Sequence, residues 1–350
     1  MVGGDTRPTF DDQSVFVKNY PHTVAALNKT DGALRWTRQL TVSRPDRGGY
    51  GANLAGGRLV IGDIDLFGLD RATGAVVWTY APSTGEWPGF QRQTTDGITV
   101  YCGSKTGHVF AVDGATGAER WVTRVAVSGD ADVPVYDPVL VAGVVYVGFT
   151  IHNSLFGTGG AAAIDAQTGA LRWVRILPEV SPGIPSGGFS AVVVVGTLVV
   201  AAAGDGTVYG LDKGTGEIRY TIPKTTFVVT SAQLVQREIR PLLAVGDAVY
   251  VGSSAGFVTA LAGSDLRRLW IMTLSRGTPV DISADEKYIY SAYGGGQFGA
   301  MRPSDGKTVF LIERGTFRAD DDEAIEVGPG MDGERLYLGG GHEIYALKRP

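Results

Sequence analysis

The hydrophobic positions of this chain come in short runs that are separated by turn residues, and they do not follow a helical period. Residues 108–113 show the pattern: an apolar run ends in Asp113, Thr116 and Gly117 follow, and a second run reaches Trp121. Short runs of β-branched and aromatic residues bounded by Asp, Thr and Gly predict strands joined by tight turns. The stretch therefore predicts a β-hairpin.

The same pattern recurs along almost the whole chain. In most copies an Asp or Asn stands four residues before the turn glycine, and an aromatic residue stands four residues after it. The glycines of these copies are Gly32, Gly74, Gly117, Gly169, Gly216 and Gly306. A further copy near residues 261–270 lacks the glycine, and another begins at residue 344. The mean spacing of about 46 residues is typical of propeller blades with four strands each.

Each position of the repeat has a physical role. An Asp or Asn that opens a turn accepts hydrogen bonds from the following backbone, and glycine takes the positive φ that closes the turn. The aromatic residue is expected to fill the space between neighbouring blades, with the indole N–H donating to a carbonyl. Five of the six tryptophans occupy this position: Trp36, Trp78, Trp121, Trp173 and Trp270. Only Trp87 lies outside it, so we interpret most of the tryptophan as structural.

The Asp-x-x-Thr-Gly-x-x-x-Trp repeat resembles the PQQ-like (quinoprotein alcohol dehydrogenase-like) β-propeller repeat. The resemblance extends from about Val15 to Leu347. It implies an all-β fold, a single β-propeller of four-stranded blades. The family contains quinone-dependent dehydrogenases and also scaffold and sensor propellers without a cofactor, so the resemblance does not decide the function.

The number of blades follows from the number of strands. We count about 30, between the 28 strands of seven blades and the 32 of eight at four strands per blade. Eight blades are favoured and seven remain open, with residues 5–13 as a candidate for a missing strand. We expect residues 1–350 to form one propeller whose ring is closed by pairing of N- and C-terminal strands, because an open stack would leave exposed edges.

The connections between strands divide into two kinds. Those between the first and second and between the third and fourth strands of a blade are short and alike, and they define the turn face. The remaining connections, which define the loop face, are long and irregular; examples are residues 44–50, 83–93, 128–137 and 225–240. Rigid scaffolds usually carry function on such loops. The loop face is therefore the predicted working face.

Residues that enter the first strand of each blade should line an axial funnel on the loop face. The predicted ligand-binding set is Tyr50, Gln91, Arg92, Asp137, Arg240 and Asp281. The mixture of aromatic, cationic and carboxylate groups suits a small molecule or a protein partner. The alternative is the solvated polar rim that any propeller has.

Composition excludes several functions and leaves others open. The net charge of −5 offers no electrostatic reason to expect nucleic acid as a partner. No apolar run is long enough to span a membrane, and the four histidines lack metal-ligand spacing, so we predict no metal site. The first residues do not have the pattern of a signal peptide. The resemblance implies a periplasmic or extracellular location, and a cytoplasmic one stays open.

Whether the chain is an enzyme is left open by its sequence. PQQ with Ca²⁺ would need cationic partners for its carboxylates, and the long loops contain arginines. The larger quinoprotein alcohol dehydrogenases of the family have a vicinal Cys-Cys pair, which a chain with Cys102 alone lacks. Asp137 and Asp281 are the candidates for a catalytic base if dehydrogenase chemistry exists here. The preferred hypothesis is a binding, scaffold or sensor module, and the alternative is a quinone-dependent or other enzyme working in the funnel.

Overall fold

A computed structural model describes most of the chain. The described residues are 7–19, 22–43, 51–85, 89–90, 92–125, 133–151, 158–177, 188–223, 239–253, 257–273, 279–293, 297–312, 325–333, 335–340 and 343–349. Within these ranges all regular structure is β-strand and no helix occurs. The all-β expectation is thereby confirmed.

Strands β1 to β16 form the first four sheets. The first sheet contains β1 (Thr9–Phe10), β2 (Ser14–Asn19), β3 (Thr23–Asn28) and β4 (Leu34–Gln39). The second contains β5 (Gly51–Ala55), β6 (Arg58–Gly62), β7 (Leu66–Leu69) and β8 (Val76–Tyr80). The third contains β9 (Gln93–Thr95), β10 (Thr99–Gly103), β11 (His108–Asp113) and β12 (Glu119–Arg124). The fourth contains β13 (Val139–Val141), β14 (Val144–Ile151), β15 (Thr158–Asp165) and β16 (Leu171–Ile176).

Strands β17 to β31 form the remaining four sheets. The fifth contains β17 (Phe189–Val195), β18 (Leu198–Ala203), β19 (Val208–Asp212) and β20 (Ile218–Ile222). The sixth contains β21 (Ile239–Val245), β22 (Ala248–Ser253), β23 (Phe257–Ala262) and β24 (Arg268–Thr273). The seventh contains β25 (Pro279–Ala284), β26 (Ile289–Tyr293), β27 (Gln297–Met301) and β28 (Thr308–Ile312). The eighth has β29 (Ile325–Asp332), β30 (Arg335–Gly340) and β31 (Glu343–Lys348).

The strands of each sheet are ordered as they occur in the chain, and neighbouring strands are antiparallel wherever their register is described. The sheets are the eight blades of an eight-bladed β-propeller, which confirms the favoured blade number. Residues 5–13 do contribute a strand, because Thr9 and Phe10 pair with Phe16 and Val15 in the first sheet. Pairing between N- and C-terminal strands stays a prediction, since residues 1–6 lie outside the described residues.

The chain divides into two compact units, which are described separately. Unit 1 comprises residues 1–145, 164–171 and 330–350, and unit 2 comprises residues 146–163 and 172–329. In unit 1, Phe10 of β1 packs against Tyr337 of β30 with ring centroids 4.8 Å apart and the rings tilted by 39°, and Lys29 pairs with Asp332 at 2.7 Å. The first and last sheets therefore contact each other through side chains.

The predicted turn is observed in successive blades. In the third sheet, Asp113 Oδ1 accepts hydrogen bonds from the amides of Ala115 and Thr116 and from the Thr116 hydroxyl at 2.9–3.1 Å. Gly117 has a φ of 74°, and a Cβ added there would lie 2.7 Å from the Trp78 ring. The glycine thus provides the positive φ and also makes room for the tryptophan of the preceding sheet.

The tryptophans make one contact repeatedly. In each of the five repeat tryptophans the indole N–H donates to a carbonyl in the turn of the following sheet: Trp36 to Arg71, Trp78 to Gly114, Trp121 to Ala166, Trp173 to Lys213 and Trp270 to Pro303, at 2.8–3.2 Å. The structural role predicted for the repeated tryptophan is confirmed.

The copy of the repeat near residues 261–270 lacks the glycine but still forms the turn. Leu266 occupies the glycine position with a φ of 56°, which is unusual for a residue with a branched side chain. Its side chain is buried in a cluster with Val249 and Leu261. Burial of the leucine side chain offsets the backbone strain, so the turn persists without glycine.

Candidate functional site

The sequence-predicted site residues are described only in part. Arg92 directly precedes β9, Asp137 lies just before β13, and Asp281 lies within β25. Tyr50 and Gln91 fall outside the described residues, and for Arg240 in β21 only the backbone is described. The complete set therefore remains a prediction.

Arg92 and Asp137 lie together on the loop face of unit 1. The guanidinium Nη1 and the carboxylate Oδ2 are 3.9 Å apart, and the side chains are 50% and 45% exposed. An ion pair as exposed as this contributes about 0–1 kcal/mol to stability. The pair is thus accessible from solvent and is of little importance for the fold.

Asp281 has a different environment, in unit 2. The residue is only 5% exposed, and its Oδ1 accepts the amide proton of Ile282 at 2.9 Å. A buried carboxylate that accepts a hydrogen bond from its own backbone has a clear structural function. This contact by itself gives no reason to assign Asp281 a catalytic role.

Polar side chains also link the first strands of neighbouring sheets beside Arg92. The Thr9 hydroxyl donates to the Ala52 carbonyl at 2.6 Å, and Asn53 Nδ2 lies 3.3 Å from both oxygen atoms of Gln93. These contacts join β1 to β5 and β5 to β9. They hold the strands next to Arg92 on a fixed scaffold.

A charged cluster that the sequence reasoning did not identify lies on the same face. Asp63, between β6 and β7, is fully buried; its Oδ2 lies 3.1 Å from Lys18 Nζ in β2 and 2.9 Å from His22 Nδ1 between β2 and β3. His22 has a φ of 59°. The signal in the sequence was Lys18 directly after the apolar residues 15–17 of a strand, but its partner Asp63 is distant in the chain.

The geometry of this cluster defines what it does. Because Nδ1 of His22 contacts both carboxylate oxygens of Asp63 at 2.9–3.0 Å, Asp63 orients the imidazole ring. The carboxylate also compensates the buried ammonium of Lys18, which would otherwise be strongly unfavourable. The Lys18–Asp63–His22 cluster thereby fixes the second-to-third-strand connections of the first two sheets.

The described residues do not fit a PQQ–calcium site. Within the described ranges no group of three or more His, Cys, Asp or Glu side chains could hold a metal ion. Cys102 is the single cysteine of the chain; it is buried, and burial raises the pKa of its thiol.

The described part of the chain contains no helix that is long and apolar enough to cross a membrane.

The fold and its repeat define the class of the protein, a PQQ-like β-propeller. A family model described as outer membrane protein assembly factor BamB matches residues 2–86 and 62–309. These matches span most of the chain, and the chain belongs to this family. No curated protein matches the chain significantly.

Solved structures with the same fold have diverse functions. BamB from Moraxella catarrhalis is 20% identical, with a TM-score of 0.65 and 82% of each chain covered. The quinohemoprotein alcohol dehydrogenase from Comamonas testosteroni is 15% identical, with a TM-score of 0.71, 97% of this chain and 71% of that chain covered. The computationally designed Ika8 protein is 13% identical, with a TM-score of 0.75 and coverage of 100% and 97%. At these identities the likeness shows the fold alone.

Proposed function

We propose that this chain is a non-catalytic scaffold propeller that binds a protein partner on its loop face, outside the cytoplasm. The observation that carries the proposal is the exposed Arg92–Asp137 pair, which lies on the same face as the buried Lys18–Asp63–His22 cluster. A face that combines a buried, internally paired cluster with accessible charges is the arrangement of a recognition surface. Membership in a family described as an assembly factor supports the same function.

The charges of Arg92 and Asp137 give this surface its selectivity. Their side chains are half exposed and their charged atoms are 3.9 Å apart, so both charges are accessible to a partner from solvent. A partner that brings a carboxylate to Arg92 and a cation to Asp137 would form charge-assisted hydrogen bonds. Complementary charges of this kind set orientation and specificity more than affinity.

The experiment compares partner capture by matched variants. Proteins cross-linked to the purified chain in an extract of its own cells are identified for wild type, Arg92→Ala and Lys213→Ala. Lys213 lies on the turn face, where its ammonium donates to the Gly196 carbonyl. A specific partner should bind about tenfold more weakly to Arg92→Ala and normally to Lys213→Ala. Equal capture by all three proteins, or loss only with Lys213→Ala, would refute the loop-face assignment.

The enzyme hypothesis is tested separately. Purified protein is incubated with PQQ and Ca²⁺, and its absorbance spectrum is recorded after removal of free quinone. The scaffold proposal expects no retained chromophore. A retained quinone spectrum together with alcohol oxidation would establish the alternative, a quinone-dependent enzyme.

A further inference from the structure

A cleft of about 360 Å³ lies on the turn face of unit 1, where the first two sheets meet. One wall is formed by the turn between β1 and β2 and by Arg35 of β4, and the other by the turn that contains Asp70 and Arg71. The volume is at the lower end of the range for small-molecule sites. This cleft is independent of the loop-face site.

Arg35 differs from its counterparts in other blades. The residue at this position is Arg120 in the third sheet and Arg219 in the fifth, seven residues after the Asp that opens the turn. Arg120 Nη2 lies 2.7 Å from Asp113 Oδ2, and Arg219 Nη2 lies 3.5 Å from Asp212 Oδ2. In those blades the arginine therefore pairs with the carboxylate of its own turn.

The first blade has Asn28 where the second to fifth blades have Asp. Asn28 keeps the turn, because its Oδ1 accepts the amide proton of Thr30 at 2.8 Å, but it offers no negative charge. Arg35 instead donates to two neutral oxygens, Ser14 Oγ at 2.5 Å and Gln13 Oε1 at 3.4 Å. A guanidinium has five N–H donors. Among the described residues no carboxylate pairs with Arg35, which thus brings a positive charge and spare donors to the cleft.

The opposite wall carries the negative charge of Asp70 and the positive charge of Arg71, and hydrogen bonds within and to its turn fix its position. Asp70 Oδ1 accepts from the amides of Ala72 and Thr73 and from the Thr73 hydroxyl at 2.9–3.1 Å, and these hydrogen bonds lower the pKa of Asp70. The Arg71 carbonyl accepts the indole N–H of Trp36 at 3.0 Å. The Arg71 guanidinium lies 3.6 Å from Asp11, which leaves donors for a ligand.

The lining carboxylates restrict the ligand further. Asp12 is exposed, and among the described residues it has no hydrogen bond or ion pair. With Asp12 and Asp70 in the cleft, a simple anion would be repelled, whereas a ligand carrying both signs would satisfy Arg35 and Asp12 together.

We propose that this cleft binds a small zwitterion, an α-amino acid or a short peptide. Its carboxylate contacts the guanidinium groups of Arg35 and Arg71, and its ammonium contacts the carboxylate of Asp12. Asn28 determines whether the ligand can bind. It does not line the cleft, but because it has no negative charge to pair with Arg35, the guanidinium of Arg35 can contact the ligand carboxylate.

The test uses glycylglycine as the probe and isothermal titration calorimetry as the measurement. N-acetyl-glycylglycine lacks the positive charge, and glycylglycine amide lacks the negative charge. We expect one saturable site for glycylglycine and about tenfold weaker binding of either derivative, as charged hydrogen bonds are lost. No saturable binding of glycylglycine overturns the proposal, and equal binding of the acetylated probe overturns the zwitterion assignment.

The decisive variant changes no lining residue. Asn28→Asp introduces the residue that the second to fifth blades have, so it should fold, and its carboxylate should pair with Arg35. Binding should weaken about tenfold, as it should for Arg35→Gln. The matched control, Asp113→Asn, releases Arg120 in the third sheet and should leave binding unchanged. Unaltered binding by Asn28→Asp with an unchanged Tm, or by Arg35→Gln, would refute the assignment.

Discussion

The turn face and the loop face of the same sheets are built in opposite ways. On the turn face one contact is repeated, an indole N–H donating to a carbonyl of the next turn, with distances between 2.8 and 3.2 Å in five blades. On the loop face the contacts differ from blade to blade, as the Lys18–Asp63–His22 cluster and the Arg92–Asp137 pair show. The repeated contacts of the turn face stabilise the fold. The differing contacts of the loop face allow that face to recognise a particular partner.

The largest effect should come from the repeated contact. Trp78 is 9% exposed and packs with Phe110 and Val112 of the next sheet, so Trp78→Ala should lower the free energy of unfolding by about 3–5 kcal/mol. Chemical denaturation measures this. The control is Val77→Ala on the same strand, at a position that is 47% exposed. Comparable losses from the two variants would contradict the structural role of the repeated tryptophan.

The second-largest effect on stability is expected at the Lys18–Asp63–His22 cluster of the loop face. Asp63→Asn keeps the size of the side chain but removes the charge that compensates the buried ammonium of Lys18, and it should cost about 3 kcal/mol. Asp65→Asn is the matched control; its carboxylate binds the amide and hydroxyl of Ser43 at the surface. If Asp63→Asn has no larger effect on denaturation than the control, the cluster does not hold the two sheets together.

A smaller effect is expected at Asp113 on the turn face, where a mutation should change how stability depends on pH. Hydrogen bonds from Arg120 and Thr116 hold the pKa of Asp113 below its ordinary value of 3.8. The lowered folded-state pKa means that Asp113 contributes stability above the unfolded pKa, and that this contribution is lost as pH falls through 3.8 and below. Thermal unfolding as a function of pH should show a shallower acid loss for Asp113→Asn than for wild type. Parallel curves for the two proteins would rule out this contribution.

The smallest effect on stability is expected at the proposed partner site. Because the Arg92–Asp137 pair is exposed and loosely spaced, Arg92→Ala should change the free energy of unfolding by no more than about 0.5 kcal/mol. Denaturation of the same preparation that is used for partner capture gives this value. A loss as large as that of Trp78→Ala would make Arg92 a structural residue and remove the contrast between the two faces.

Local patterns of the chain predicted much of this architecture. Asp113, Thr116 and Gly117 are adjacent in sequence and make their hydrogen bonds within one turn, so the signal and the contact are both local. Trp121 could be assigned to the space between blades because the pattern recurs at a nearly constant spacing. Even the missing strand was foreseen within residues 5–13, where β1 is observed.

The candidate sites were less predictable, because their members come from different blades. Lys18, His22 and Asp63 are joined only when the first two sheets pack, and nothing in the spacing from 22 to 63 specifies a contact of 2.9 Å. Arg35 looks like any other arginine of the repeat until its turn is compared with that of Arg120. The substitution of Asn28 for Asp was visible in the sequence, but its meaning required the observed ion pair in the third sheet.

The sequence by itself therefore determined the repeat, the turns and the position of the tryptophans, since each depends on residues that are close in the chain or equally spaced along it. The tertiary structure decided which charges are compensated. Compensation depends on distances of a few ångströms between side chains of different sheets, and Coulomb attraction and desolvation both change steeply over that range. Asp63 is buried against the Lys18 ammonium and the His22 imidazole, while Arg35 faces a cleft, and only the packing of the sheets distinguishes them.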